Sequence, residues 1–321
     1  MVMRFRRLRT ANRLAIFMYH GVVSTPLDFY DWCFVSGEDF QRQAQYLRKR
    51  FEVLPLREAV DRLQDGTIQR PSAVITFDDG FQNNHDVAFP ILRKARLPAT
   101  IFPVTELIGS RRTLWFCRLH RALAATSKVT LEWGGSRLDL AGPSEKAAAS
   151  SWLEDRLKQL PQPQLESETE RLVDALGDEP ERPVEVDSPF RILDRDSIQR
   201  MTDSGLVDLG GHTRSHAIVS LLSPQDQERE ITGSLSEIES LTGQPCEVFA
   251  YPNGRKEDYD AKSLDILKSS KVRVAVTTIE GANDQATSPL ELLRYGIGAN
   301  LPFDRFKKEV DRIISEDLAE K

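Results

Sequence analysis

Four places in the chain join chemistry-bearing side chains to sharp turns. They are Asp78-Asp79-Gly80, His212-Thr213-Arg214-Ser215-His216 after Gly210-Gly211, Tyr19-His20-Gly21, and Tyr251-Pro252-Asn253-Gly254. One carboxylate and two neutral imidazoles suit a single divalent ion, most naturally Zn²⁺ with Co, Ni or Mn as alternatives, and leave positions open for water and substrate. Two adjacent aspartates can divide the labour, one as ligand and the other as general base. Histidines four apart also meet on one helical face, an arrangement metals use. Plainer readings exist: Asp-Asp-Gly after an apolar run is commonly a turn, and a histidine pair is often solvated or packed in a core. The chain has only 5 histidines, and two of them fall beside Gly-Gly, which weights the reading toward a metal. His85 and His120 lie in helical or inserted segments and read as structural. The set as a whole is suited to metal-assisted hydrolysis of a carbonyl compound.

The elements that must position these residues are short apolar runs: Leu14–Tyr19, Ala73–Phe77, Ala99–Val104, Val207–Leu209, Glu247–Tyr251, Val272–Thr277 and one near Leu292–Ile297. They are continuous rather than alternating, as expected of strands covered on both faces. Helical patterns fall between them at about 39–50, 84–96, 195–203, 225–241 and 259–268. Such alternation implies parallel strands with right-handed crossovers, in an open sheet or a barrel. Each polar group stands at the carboxyl end of a strand, and in a parallel barrel those ends share the face on which active sites are built. Residues 106–190 break the rhythm. A hairpin around Gly134-Gly135 is followed by two helix-prone stretches, Ser144–Leu160 and Gln164–Leu176, separated by Pro161 and Pro163. The segment reads as an insertion in one strand–helix connection of a single domain spanning 1–321, placed to act as a cap.

Composition narrows the function classes. The 321 residues carry 43 Lys plus Arg against 49 Asp plus Glu, a net charge of −6, which argues against a phosphate-tracking nucleic-acid binder. The hydrophobic fraction of 40% and charged fraction of 29% are those of a globular protein. Cys33, Cys117 and Cys246 form neither a metal knuckle nor a disulfide framework, so a reducing, cytoplasmic setting is expected. No segment has the length of a transmembrane helix. The arginine-rich start, MVMRFRRLRTANR, lacks the apolar core and cleavage site of a signal peptide, but offers weak contact with an anionic membrane surface.

These residues resemble the polysaccharide deacetylases, carbohydrate esterase family 4, with the NodB-homology domain. The resemblance covers roughly 12–105 and 191–300 and implies a distorted (β/α)₇ barrel that removes an N-acetyl group from an amino-sugar-containing saccharide or its precursor. Thr76-Phe-Asp-Asp-Gly80 is similar to the first family motif, which makes Asp78 the base and Asp79 a metal ligand. His212-Thr-Arg-Ser-His216 is similar to the second, which makes both histidines ligands. The third, approximately Arg-x-Pro-Tyr, falls on Ala250-Tyr251-Pro252-Asn253. It implies a substrate and oxyanion side at Tyr251, Pro252 and Asn253, with the Asn253 N–H in the role of the family tyrosine's. The motif's arginine is absent, and Arg294 on the last strand is the candidate to pair with Asp78 instead. The C-terminal Leu-x-His motif is absent as well. His20 then becomes the candidate acid, as in circularly permuted members that take theirs from an N-terminal Tyr-His. The same site would also accommodate hydrolysis of a formamide or cyclic imide, and a glycan-binding protein without turnover is the rival of another class.

Overall fold

Seven parallel strands carry the architecture: β1 (Leu14–Tyr19), β2 (Ser72–Asp79), β3 (Ala99–Pro103), β4 (Val207–Leu209), β5 (Val248–Ala250), β6 (Val274–Val276) and β7 (Tyr295–Gly296). The computed structural model in which they are seen describes residues 13–319, so the basic tail and any membrane contact by residues 1–12 lie outside the described residues. Hydrogen-bonded neighbours run β7-β1-β2-β3-β4, and β5 pairs with β6. Single bridges close the remaining gaps, Gly211 to Phe249 between β4 and β5, and Val276 to Leu292 between β6 and the segment that enters β7. The result is the expected distorted (β/α)₇ barrel.

Strand parity decides what faces inward, because successive side chains alternate between faces. Leu14, Ile16, Val74, Phe102, Val248, Ala250, Val274, Val276 and Leu292 fill the barrel interior. Ala15, Phe17, Tyr19, Ala73, Ile75, Phe77, Phe249 and Tyr251 pack outward in the layer shared with the helices. Burial of both faces explains why the strands read as unbroken apolar runs.

Ten α-helices are present among the described residues: α1 (Gly37–Arg50), α2 (Leu56–Gln64), α3 (Phe89–Ala95), α4 (Trp115–Ala125), α5 (Pro143–Leu157), α6 (Gln162–Leu176), α7 (Arg195–Asp203), α8 (Pro224–Thr242), α9 (Ala261–Ser269) and α10 (Phe303–Ala319). None is long and apolar enough to cross a membrane. Several features depart from the sequence reading. Helix α2 was not anticipated, yet its Leu56, Ala59, Val60 and Leu63 join the barrel interior. It closes the amino end of the barrel, where Arg57 reaches Glu247 at 3.3 Å and Asp61 meets Arg273, the residues just before β5 and β6. Helix α10 was also missed; its Phe306, Val310, Ile313 and Ile314 bury a stripe at i, i+4, i+7 and i+8. The helix expected over 84–96 begins as a π-helical turn, Asn84–Ala88, before α3.

The inserted segment contains α4, the hairpin Thr130–Trp133/Ser136–Asp139, α5 and α6. It has an apolar cluster of its own that includes Leu119, Leu123, Leu153, Leu157, Leu172 and Leu176. Phe29, from the loop after β1, enters that cluster and ties the insertion to the barrel.

Candidate active site

Strand β2 runs through both aspartates, so parity sends Asp78 into the barrel. The chain then turns sharply, with Asp79 and Gly80 in the left-handed region at φ 70° and 74°. Asp tolerates that conformation. Gly80 is required: a Cβ there would stand 2.5 Å from Pro103 Cβ. Gly210 is needed for a similar reason, since its Cβ would fall 2.4 Å from the Phe102 ring.

His212 and His216 do not share a helical face. They occupy an irregular loop in which Thr213 and His216 adopt φ 59° and 64°, conformations that cost of the order of 1–3 kcal/mol each and persist only where their surroundings impose them. The surroundings do. The buried carboxylate of Glu230, on α8, accepts the N–H groups of Arg214 and Ser215 through Oε2, both at 2.9 Å. The Glu106 N–H donates to Arg214 O at 2.9 Å. From the insertion, Gln162 Nε2 donates to Ser215 O at 3.4 Å, and the Phe116 ring stands edge-on to His216 at 5.8 Å. Glu230 was not singled out from sequence, because an acid in a helical stripe carries no mark of the loop it will meet.

Asp79, His212 and His216 are buried, and one potential ligand atom from each lies within 4.8 Å of the others. The Nε2 atoms of His212 and His216 stand 3.6 and 3.3 Å from Asp79 Oδ1. Both Asp79 oxygens are buried with no hydrogen-bond donor, a costly condition unless a cation occupies the gap. Burial opposes its ionisation, but the two imidazoles hold the Asp79 carboxyl far below the usual carboxylate range. Burial dominates at His216 and lowers its pKa, which favours the neutral ligand form. At His212 burial is outweighed by Asp79 and Asp78, and the pKa is raised. His212 Nδ1 lies 2.7 Å from Ala250 O, the donor arrangement that leaves Nε2 with a lone pair. Donor types, burial and the orphaned carboxylate all fit one divalent ion.

Asp78 is held by Arg294. Nη1 donates to Oδ1 at 2.7 Å and Nη2 to Oδ2 at 2.6 Å. The guanidinium, fully buried, also donates through Nε to Thr277 O at 2.6 Å and through Nη1 to Thr76 Oγ1 at 3.2 Å. Burial would raise the Asp78 pKa, but Arg294 overrides it and keeps the carboxyl below its ordinary value.

A cavity of about 660 Å³ opens over these groups and is lined by His20, Asp78, His212, His216 and Asn253. The His20 ring contacts the Trp32 ring edge-on at 5.0 Å, and its buried Nδ1 has no protein partner. Asn253 adopts φ 56°, at the turn after β5. Tyr251 corrects the sequence reading. Its side chain packs outward against Tyr259, with ring centroids 4.3 Å apart, and its hydroxyl donates to Leu290 O at 3.0 Å. Outward parity removes that side chain from the substrate side, and Pro252 is likewise absent from the cavity lining. His85 lies away from the cavity, its Nδ1 2.7 Å from Asp86. His120 does line it, 3.4 Å from Asp31, a placement the sequence reading missed.

A closed parallel barrel with an Asp-His-His cluster that could hold a metal ion and a guanidinium-held carboxylate at one rim has the form of a hydrolase site. The chain belongs to the polysaccharide deacetylase family, whose model matches residues 65–275, and whose members are hydrolases of N-acetyl amide bonds. Among solved structures, the deacetylase PplD of Streptococcus pyogenes, in complex with acetate, superposes with a TM-score of 0.62 at 19% identity, over 92% of this chain and 97% of that one. A putative polysaccharide deacetylase of Bacillus subtilis is 22% identical over 290 residues, 89% of this chain and 72% of its own length. The poly-beta-1,6-N-acetyl-D-glucosamine N-deacetylase of Staphylococcus epidermidis is 38% identical over 77 residues, 24% of this chain and only 27% of that relative's length.

Proposed function

We infer that this protein is a metal-dependent de-N-acetylase acting on an N-acetylated amino sugar within a saccharide. The observation that carries the reading is the juxtaposition, around one cavity, of an ion-binding triad, an anionic carboxylate held from behind, and an imidazole with a free ring nitrogen. The name of the Staphylococcus epidermidis relative supports the substrate class.

One divalent ion held by Asp79, His212 and His216, with zinc best matched to this N/O donor set, would polarise the acetyl carbonyl and acidify water. Asp78 takes the proton of the attacking water as its oxygen bonds to the acetyl carbon. Arg294 keeps Asp78 anionic and fixes its direction. The Asn253 N–H is the donor for the negative charge that develops on the carbonyl oxygen. His20 delivers a proton to the sugar nitrogen as the C–N bond breaks, giving acetate and a free amine. A cytoplasmic site of action belongs to the same reading and is supported by the three unpaired cysteines, all buried.

The test is acetate release from defined N-acetylated oligosaccharides after loading the purified protein with zinc. Stoichiometric acetate and amine are expected. Saccharide binding without acetate release would identify a glycan-binding protein, and turnover confined to formamides or cyclic imides would overturn the substrate class.

A further inference from the structure

The loop between β1 and α1 presents its side chains in alternation. Phe29 is buried and stacks on His120 of α4 with centroids 3.8 Å apart and planes 8° from parallel. Asp31 Oδ2 lies 3.4 Å from His120 Nδ1, while Oδ1 accepts the Cys33 N–H at 2.9 Å. Cys33 is buried, and its carbonyl accepts the Gly21 N–H at 3.0 Å. Three alternate residues are therefore anchored, two of them by the insertion. The two between them are not covered: Tyr30 is 53% exposed and Trp32 39%. They are the only exposed large aromatics among the described residues, and both line the cavity that Asp78, His212 and His216 also line. Trp32 is pinned from behind, where its carbonyl accepts the Ala299 N–H at 2.9 Å and Gly298 leaves no room for a Cβ.

Two large aromatic faces left wet at the rim of a catalytic cavity, on a loop held rigidly at every second residue, call for an occupant with a flat apolar face. A pyranose ring has one, formed by its axial C–H bonds, with hydroxyls at its edge. The rest of the rim is predominantly acidic, with Glu154, Asp155, Asp258 and Glu280 against Lys158 and Arg255. Carboxylates accept hydrogen bonds from sugar hydroxyls and repel a phosphorylated carrier. We propose that Tyr30 and Trp32 form a stacking subsite for a sugar adjoining the one that is deacetylated, so that the substrate is an uncharged or amine-bearing oligosaccharide of at least two residues and not a nucleotide-linked monosaccharide. This rests on the de-N-acetylase reading. It also gives the insertion a task, since α4 holds the platform through His120.

The experiment compares kcat/KM of the zinc-loaded protein on N-acetylhexosamine mono- to tetrasaccharides and on a nucleoside-diphosphate-linked N-acetylhexosamine. Tyr30 is the residue to vary, because Trp32 also touches His20. Wild type should gain on the order of tenfold from monosaccharide to trisaccharide, the scale expected for covering one aromatic face. Tyr30→Ala should flatten that rise without changing metal content, and Tyr30→Trp should restore it. An identical rise in Tyr30→Ala, or preference for the nucleotide-linked sugar, would overturn the subsite. If no saccharide is hydrolysed, the de-N-acetylase reading fails by itself. Titration of protein fluorescence with the tetrasaccharide still decides the subsite: weaker binding by Tyr30→Ala supports it, while equal binding or none removes it.

Discussion

Arg294 and Asp78 meet face to face inside the barrel, with two parallel hydrogen bonds of 2.7 and 2.6 Å. Arg294 immediately precedes β7 and Asp78 lies in β2, strands that are not neighbours; β1 lies between them. The guanidinium thus reaches beneath the end of β1, and two of its other donors are taken by Thr277 and Thr76. Bidentate geometry fixes the plane of the carboxylate as well as its charge, which a lysine cannot do.

Removing Arg294 should therefore affect stability and turnover together. Arg294→Ala leaves a buried carboxylate without its cation and should cost about 3–5 kcal/mol at neutral pH in urea unfolding. The sign of the pH dependence is diagnostic. With Arg294 present, the Asp78 pKa is lowered, so its contribution is complete above the unfolded-state pKa and fades only as pH falls through the depressed folded value. Without Arg294, burial raises the Asp78 pKa, so the variant should regain stability relative to wild type as pH falls from 7 toward 4. A deficit that stays constant over that range would mean that Asp78 is not the group left uncompensated. Unchanged turnover would remove Arg294 from the mechanism.

Asp78→Asn keeps the shape of the side chain and removes the base. Zinc content should be unchanged, because the ligand set does not include Asp78, while kcat should fall by roughly 10²–10⁴. Loss of metal in this variant would show that the two aspartates do not divide the labour as assigned.

His216→Ala should abolish stoichiometric metal by elemental analysis. Glu230→Ala is the subtler case. Glu230 lies outside the candidate ligand set but clamps the two N–H groups between the histidines, so metal affinity should fall by about 10–100-fold. Glu230→Gln retains an acceptor oxygen and should recover most of that loss in a competition titration. Full affinity in Glu230→Ala would show that the left-handed residues hold the loop without it.

His20→Ala should leave metal content intact and lower kcat strongly on an N-acetyl amide, whose amine needs a proton to depart. The loss on an O-acetyl ester of the same sugar should be smaller, because an alkoxide leaves with less assistance. Equal losses on the two substrates would mean that His20 binds and does not donate.

The convergence of Asp78, Asp79, His212 and His216 was legible because they stand at or just beyond the ends of strands, and strand ends determine where side chains converge. Arg294 was legible as the one cation within the last apolar run, Leu292–Ile297. The Tyr251 error was avoidable: Val248 and Ala250 face inward, so parity sends Tyr251 to the helices, while resemblance to a motif does not encode parity. Helix α2 carried a readable stripe at Leu56, Ala59, Val60 and Leu63, masked by the charged residues between them. The clamp by Glu230 and the pair formed by Asp31 and His120 were not legible at all. Each joins segments distant in sequence, and their meeting is decided by tertiary packing alone.

The seam between β4 and β5 is closed by one backbone bridge and by the His212 Nδ1 contact with Ala250 O at 2.7 Å. An imidazole that gives Nε2 to a cation must keep its proton on Nδ1, so loading the ion and sealing the seam are one linked equilibrium. In the ion-free protein, amide hydrogen exchange at Gly211 and Ala250, whose N–H groups span the seam at 3.0 and 2.9 Å, should be faster than in the loaded protein. The turn carrying Asn253 follows β5 after two residues. On the proposed reading, loading the ion should therefore also steady the turn that carries Asn253, and the same exchange experiment should show it as slower exchange at the Asn253 amide in the loaded protein.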